Sequence, residues 1–158
     1  YTGEITNWSE AGGADMEIVP FQRTAESGTQ VLMEKLVMDG TEIITPPEGH
    51  MIASMGFLID AVKQYANTAN ALGPTVYYYA NDMKMAEGLK ILQIDGVSPD
   101  AASIQSGSYP FLNPYYVVRR KDAAETSPTR ILYDWILGPE GQALAEHEGY
   151  VPIMPHQD

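Results

Sequence analysis

The stretch that decides the fold is Glu17-Ile18-Val19-Pro20-Phe21-Gln22-Arg23-Thr24-Ala25-Glu26-Ser27-Gly28-Thr29, continuing from Gln30 to Asp39. Glu17 to Gln22 is a short apolar run that predicts a buried strand ending at Arg23. Pro20 cannot donate a ladder hydrogen bond, which points to an edge position. Ser27 to Asp39 predicts a helix: Ser27 can cap it, and Gly40 can stop it. Val31, Leu32, Leu36 and Val37, with Met33 and Met38, offer it a broad apolar stripe. A strand, a tight loop and a capped helix in succession make an α/β unit.

Seven residues inside this stretch concentrate devices for holding an anion. The first turn of a helix leaves backbone N–H groups without partners, and the helix dipole adds about half a positive charge there. Gly28 has no side chain to keep an oxygen atom away from those groups. Ser27 and Thr29 can each donate a hydroxyl proton. Arg23, at the strand end, can turn its guanidinium fork to the same anion. A tetrahedral oxyanion fits such a set. The plainer reading makes Ser27 an ordinary cap and Arg23 a solvated charge, and on spacing alone the two stand level.

Outward from this unit, the first sixteen residues read as a turn or short helix end leading into a loop. Met51 to Asn67 predicts a helix with Ile52, Met55, Leu58, Ile59 and Val62 on one side. Thr75-Val76-Tyr77-Tyr78-Tyr79, after the Gly73-Pro74 break, carries a strong strand signal. Leu89 to Ile94 predicts a strand closed by Asp95-Gly96, and Pro99 to Gln105 a short helix. Pro114 to Arg119 predicts another strand. Thr129 to Leu137 and Glu140 to Glu148 predict two helices divided by Gly138-Pro139. Strands and helices interleave, so the class is α/β.

The 158 residues suffice for one full domain with a core. A net charge of −12 and the lack of a Lys/Arg stripe argue against a nucleic-acid partner. A small anion is captured by local donors, so the acidic average does not oppose it. The chain has no cysteine, which removes thiol catalysis, Cys-based zinc sites and disulfides. His50, His147 and His156 share no metal-ligand spacing. Neither a Ser/His/Asp set nor an acid pair is evident, so no enzyme, metal or cofactor is expected. Tyr77 and Tyr79 read as packing, as do Met51, Met55, Trp8 and Trp135. The chain opens on Tyr1 rather than Met, as an excised or processed piece would.

Tyr1-Thr2-Gly3-Glu4-Ile5-Thr6-Asn7-Trp8, followed by Arg23 and Ser27-Gly28-Thr29, resembles the central region of phosphate-binding proteins of ABC phosphate importers. Those proteins carry "Y-x-G-x-I-x-N-W" and then "R-x-x-x-S-G-T". Further matches follow in the same order. They are Leu92-Gln93-Ile94-Asp95-Gly96-Val97-Ser98-Pro99, Ser106-Gly107-Ser108-Tyr109-Pro110-Phe111 and Pro114-Tyr115-Tyr116-Val117-Val118. Leu137-Gly138-Pro139-Glu140-Gly141-Gln142 and Glu148-Gly149-Tyr150-Val151-Pro152-Ile153 complete the series.

The resemblance implies a type II periplasmic-binding-protein fold, in which two α/β lobes clamp a ligand. This chain would supply one lobe with three αβα layers and a mixed central sheet. Residues 1–114 would be the second lobe and 115–158 a C-terminal return segment with its helices, the first lobe being largely absent. The implied function is an extracytoplasmic solute-binding component of an ABC importer, in the periplasm or on the outer face of the cell membrane, free or lipid-anchored. Arg23, Ser27, Gly28 and Thr29 would contact phosphate or a similar oxyanion. The missing lobe would complete the site, and an ABC permease would receive the loaded protein. A sensing or regulatory module on the same lobe is the alternative. Two departures bear on selectivity. The family's acidic residue two positions after the arginine is Ala25 here, with Glu26 next to Ser27 either pairing with Arg23 or facing solvent. The family's "G-x-I-G-Y" turn is replaced by Gly73-Pro74-Thr75-Val76-Tyr77.

Overall fold

The computed structural model describes residues 1–65 and 67–153, and the chain forms two compact units, Tyr1–Ile91 and Leu92–Asp158. The expected boundary at 114/115 concerned membership of lobes; the compact units divide elsewhere.

In the first unit one extended segment carries two short strands, β1 (Val19–Pro20) and β2 (Gln22–Arg23). Its N–H groups alternate in direction, as in any strand. Val19 and Phe21 donate to the carbonyls of Asn70 and Leu72, at 3.0 and 2.7 Å, on the side of β4 (Ala71–Leu72). Gln22 donates the other way, to His50 O at 2.9 Å, on the side of β3 (Met51–Ile52). Both pairings are parallel: Val19 lies opposite Ala71, and Gln22 opposite Met51. Pro20 falls on the β3-facing side one step before that pairing begins, so its missing N–H leaves no ladder bond unmade.

β2 leads through a turn closed by the Ser27 N–H on the Thr24 carbonyl (2.9 Å) into α1 (Gly28–Leu32). The helix runs on into a π-helical turn, Met33–Val37. The Met38 N–H donates to Met33 O across five residues (3.0 Å), which widens the helix. Its inward face therefore rests on Met33 and Met38, both buried, whereas Val31 and Val37 of the expected stripe are exposed. The helix expected from Met51 begins later, as α2 (Met55–Gln64), because Met51 and Ile52 are taken by β3. Leu58, Ile59 and Met55 are buried, and Phe21 packs its ring against His50 (centroids 5.0 Å) and Tyr65 (5.9 Å). Gly73 passes so close to α2 that a Cβ there would stand 2.8 Å from Leu58 Cδ2. The Trp8 indole N–H donates to Asn70 O (3.0 Å), and the Tyr1 hydroxyl donates to Phe21 O (3.1 Å), with Leu72 O at 3.3 Å.

The second unit contains α3 (Ala101–Ser106), α4 (Pro128–Leu137) and α5 (Pro139–His147), near the expected places. Asp100 caps α3 in a reciprocal capping box with Ser103, and Ser127 caps α4. Asp95 and Gly96 both have positive φ (51° and 79°) and close a tight turn in which Ile94 and Val97 exchange hydrogen bonds of 3.0 and 2.9 Å. Asp-Gly is suited to this turn.

Three expected strands are not ladders. Residues 75–79 lead into a π-helical turn, Tyr78–Asp82, with Tyr79 and Ala80 donating to Val76 O. The strand expected over Thr75 to Tyr79 is therefore corrected. Local bonds satisfy that backbone, and aromatic β-propensity cannot act without a neighbouring strand. Leu89 to Ile94 contributes only the bridge of Ile94 to Val97, and 114–119 joins no ladder. The expected mixed sheet is represented among the described residues by the two parallel pairs and by isolated antiparallel bridges. Interleaved helices and parallel strands keep the class α/β.

Candidate functional site

Arg23 and the start of α1 lie together at the C-terminal end of the β2/β3 pair, where open α/β sheets place their ligands. Ser27 has extended backbone (φ −77°, ψ 138°) and is buried at the helix start. Its Oγ accepts the Gln30 backbone N–H at 3.1 Å. That bond consumes a lone pair and leaves the hydroxyl proton for another acceptor. Capping and anion donation are therefore compatible at Ser27. Gly28 is exposed, and a Cβ built on it would meet nothing within 4 Å. Thr29, half-buried, follows in the first turn.

The Arg23 guanidinium is held by main-chain carbonyls: Nε donates to Ile52 O (3.1 Å) and Nη2 to Ala53 O (2.9 Å). A guanidinium has five N–H donors, so these two bonds orient it and leave three. Those carbonyls belong to the end of β3 and the residue before Ser54, which caps α2 by accepting the Phe57 N–H at 3.3 Å. The start of α2 therefore stands beside Arg23, a proximity that sequence spacing could not show. Ala25 and Glu26 are both exposed, and among the described residues Arg23 makes no ion pair. With Ala25 unable to orient the guanidinium, the carbonyls of residues 52 and 53 do so instead.

Gln30 was not among the expected site residues. It is 4% exposed, and its Oε1 accepts the Arg23 backbone N–H at 3.2 Å. Its Nε2 faces Gln22 Oε1 at 3.5 Å and Glu34 Oε1 at 3.4 Å. Nothing in the sequence marked it, because a glutamine in a first turn gives no sign of burial by itself.

His50 packs on Phe21, His147 ends α5, and His156 lies outside the described residues. Among the described residues no group of three or more His, Asp or Glu could hold a metal ion, and no helix is long and apolar enough to cross a membrane.

An arginine and a capped helix start thus stand together at the ends of parallel strands in an α/β unit. A family model described as a PBP superfamily domain matches residues 1–140, and the chain belongs to that family. It is 30% identical over 97% of its length to the phosphate-binding protein PstS of Bacillus subtilis, covering 47% of that protein. It is 25% identical to the phosphate-binding protein PstS of Borreliella burgdorferi, covering 54% of it. The chain thus spans about half the length of these curated relatives. The solved structure of an ABC-type phosphate transport receptor from Vibrio cholerae superposes with a TM-score of 0.74 at 23% identity, over 98% of this chain and 60% of that one. The backbone follows the type II periplasmic-binding-protein fold that the motifs implied.

Proposed function

We propose that this chain is the second lobe and C-terminal return segment of an extracytoplasmic solute-binding component of an ABC importer. It binds phosphate or a similar oxyanion through Arg23, Ser27, Gly28 and Thr29, acting by binding rather than catalysis. Residues 1–114 belong to the second lobe and 115–158 return toward the first. The first lobe, in the longer protein, completes the cleft, and a permease receives the loaded form. The observation that carries this reading is the Ser27-capped start of α1 beside a guanidinium steered by the carbonyls of Ile52 and Ala53. The names of the PstS relatives support the choice of phosphate.

Calorimetric titration of the longer protein with phosphate, sulfate and molybdate tests it. Arg23→Ala should weaken binding by more than about tenfold, since a charge-assisted hydrogen bond contributes about 1.5–3 kcal/mol. Gly28→Ala is the sharper variant. An added Cβ meets only open space within the protein, and alanine favours helix, so stability should hold or rise. Its phosphate affinity should nevertheless fall, because the methyl enters the space the oxyanion uses. Unchanged affinity in both variants would overturn the site. The isolated 158 residues, with about half the contacts, should bind phosphate only in the millimolar range, about −4 kcal/mol. A micromolar constant for them would contradict the half-site reading.

A further inference from the structure

We propose that Gln30 is a positioning residue that sets the spacing between Arg23 and Ser27 in the anion site, an inference that rests on the reading above. The strand from Val19 to Arg23 directs the N–H groups of Val19, Phe21 and Arg23 to one side. The first two meet the carbonyls of Asn70 and Leu72. At Arg23 that neighbour has run out, because β4 ends at Leu72 and Gly73-Pro74 follow. Gln30 Oε1 takes the place of the missing carbonyl, at 3.2 Å from the Arg23 nitrogen. A side chain thereby extends the ladder by one bond, at the residue that carries the guanidinium.

The same residue holds the other half of the site with its main chain. Its backbone N–H donates to Ser27 Oγ at 3.1 Å, which selects the rotamer and leaves the hydroxyl proton to point away from the helix. Gln30 thus ties the strand end to the helix start through two bonds of one buried residue. Its amide nitrogen lies near the side-chain oxygens of Gln22 and Glu34, and Gln22 is itself anchored by Nε2 on Ile44 O at 2.9 Å. A flexible side chain in water could not act in this way, but one that is 4% exposed has few alternatives. Gln30 touches no ligand; it acts through Arg23 and Ser27.

The test uses inorganic phosphate and the longer protein, with Gln30→Leu and Gln30→Glu. Gln30→Leu keeps the backbone N–H on Ser27 and removes the acceptor for Arg23. Phosphate affinity should drop at least about tenfold, and the Arg23 amide should exchange with deuterium faster while those of Phe21 and Gln22 keep their rates. Gln30→Glu supplies a readout that a general packing role would not move. It keeps an acceptor oxygen for the Arg23 N–H, so the Arg23 amide should exchange at its wild-type rate. Wild-type binding with Gln30→Leu affinity within twofold would overturn the positioning role and leave the site standing. Failure of the wild-type protein to bind phosphate would overturn both. If Gln30→Leu does not fold, the exchange of the Arg23 amide in Gln30→Glu decides: protection equal to wild type supports the proposal, and faster exchange refutes it.

Discussion

The two compact units are held together by different means. In Tyr1–Ile91 the apolar side chains close a core: Leu58 is 1% exposed, and Phe21, Met33, Met55 and Ile59 are buried around it. In Leu92–Asp158 the buried described residues are Gly141, Gln142 and Pro152. Its large apolar side chains stay in contact with water, among them Ile131 and Leu132 of α4. What joins α4, α5 and the chain end is Gln142, whose Nε2 donates to Ile136 O (2.9 Å) and whose Oε1 accepts the Ile153 N–H (2.7 Å). Gln105 adds a bond from its Nε2 to Pro152 O at 3.0 Å. Burying a leucine side chain stabilises by roughly 1.5–3 kcal/mol, whereas a hydrogen bond nets about 1 kcal/mol. The first unit therefore owns the larger share of local stability. That would suit the anion site proposed for it, because such a site needs donors held in place.

The largest effect expected from this contrast comes from Leu58→Ala. It should cost about 2–5 kcal/mol, seen by denaturant unfolding followed through near-ultraviolet signals. A loss below about 1 kcal/mol would show that the first unit does not depend on its apolar centre. Next in size is Gly141→Ala. A Cβ at Gly141 would collide with the carbonyl oxygens of Trp135 and Ile136, which are backbone and cannot step aside. Overpacking of this kind costs about 1–3 kcal/mol. Hydrogen exchange should show the amides of α4 and α5 opening while those of Phe21 and Gln22 keep their protection. Equal loss in both units would erase the contrast.

The smallest effect is on pH dependence. Burial pushes the Tyr1 phenol above its ordinary value of 10.0. The unfolded chain ionises first, so the contribution of Tyr1 is whole below pH 10 and declines as the pH rises beyond it. Thermal melts of wild type and Tyr1→Phe should thus converge in the strongly alkaline range, with Tyr1→Phe about 1 kcal/mol less stable at pH 8 from its lost hydroxyl bond. Parallel curves from pH 8 to pH 11.5 would deny the phenol its part in holding the first unit.

Local chemistry made the helices readable. Ser27 and the Gly138-Pro139 break act within a few residues, and α3, α4 and α5 begin or end close to their signals. Asp95-Gly96 was readable for the same reason, since a two-residue turn carries its geometry in its own φ values. Tyr77-Tyr78-Tyr79 misled because strand propensity expresses a fit to neighbours, and those residues instead bond to their own chain. The motifs of the second unit were legible as a pattern, but not the cause at Gly141, where the helix-to-helix turn leaves no room for a Cβ.

By itself the sequence determined the interleaved α/β class, the Ser27 helix start and the presence of Arg23 a few residues before it. All of these depend on neighbours within one turn or one strand. Only the tertiary structure decided what steers the arginine. The carbonyls of Ile52 and Ala53 arrive from about thirty residues away through the register of β3 on β2, and Gln30 takes the Arg23 N–H because β4 ends at Leu72, two residues short of the next ladder carbonyl. Register between distant strands is set by how a whole core packs, and no local spacing records it.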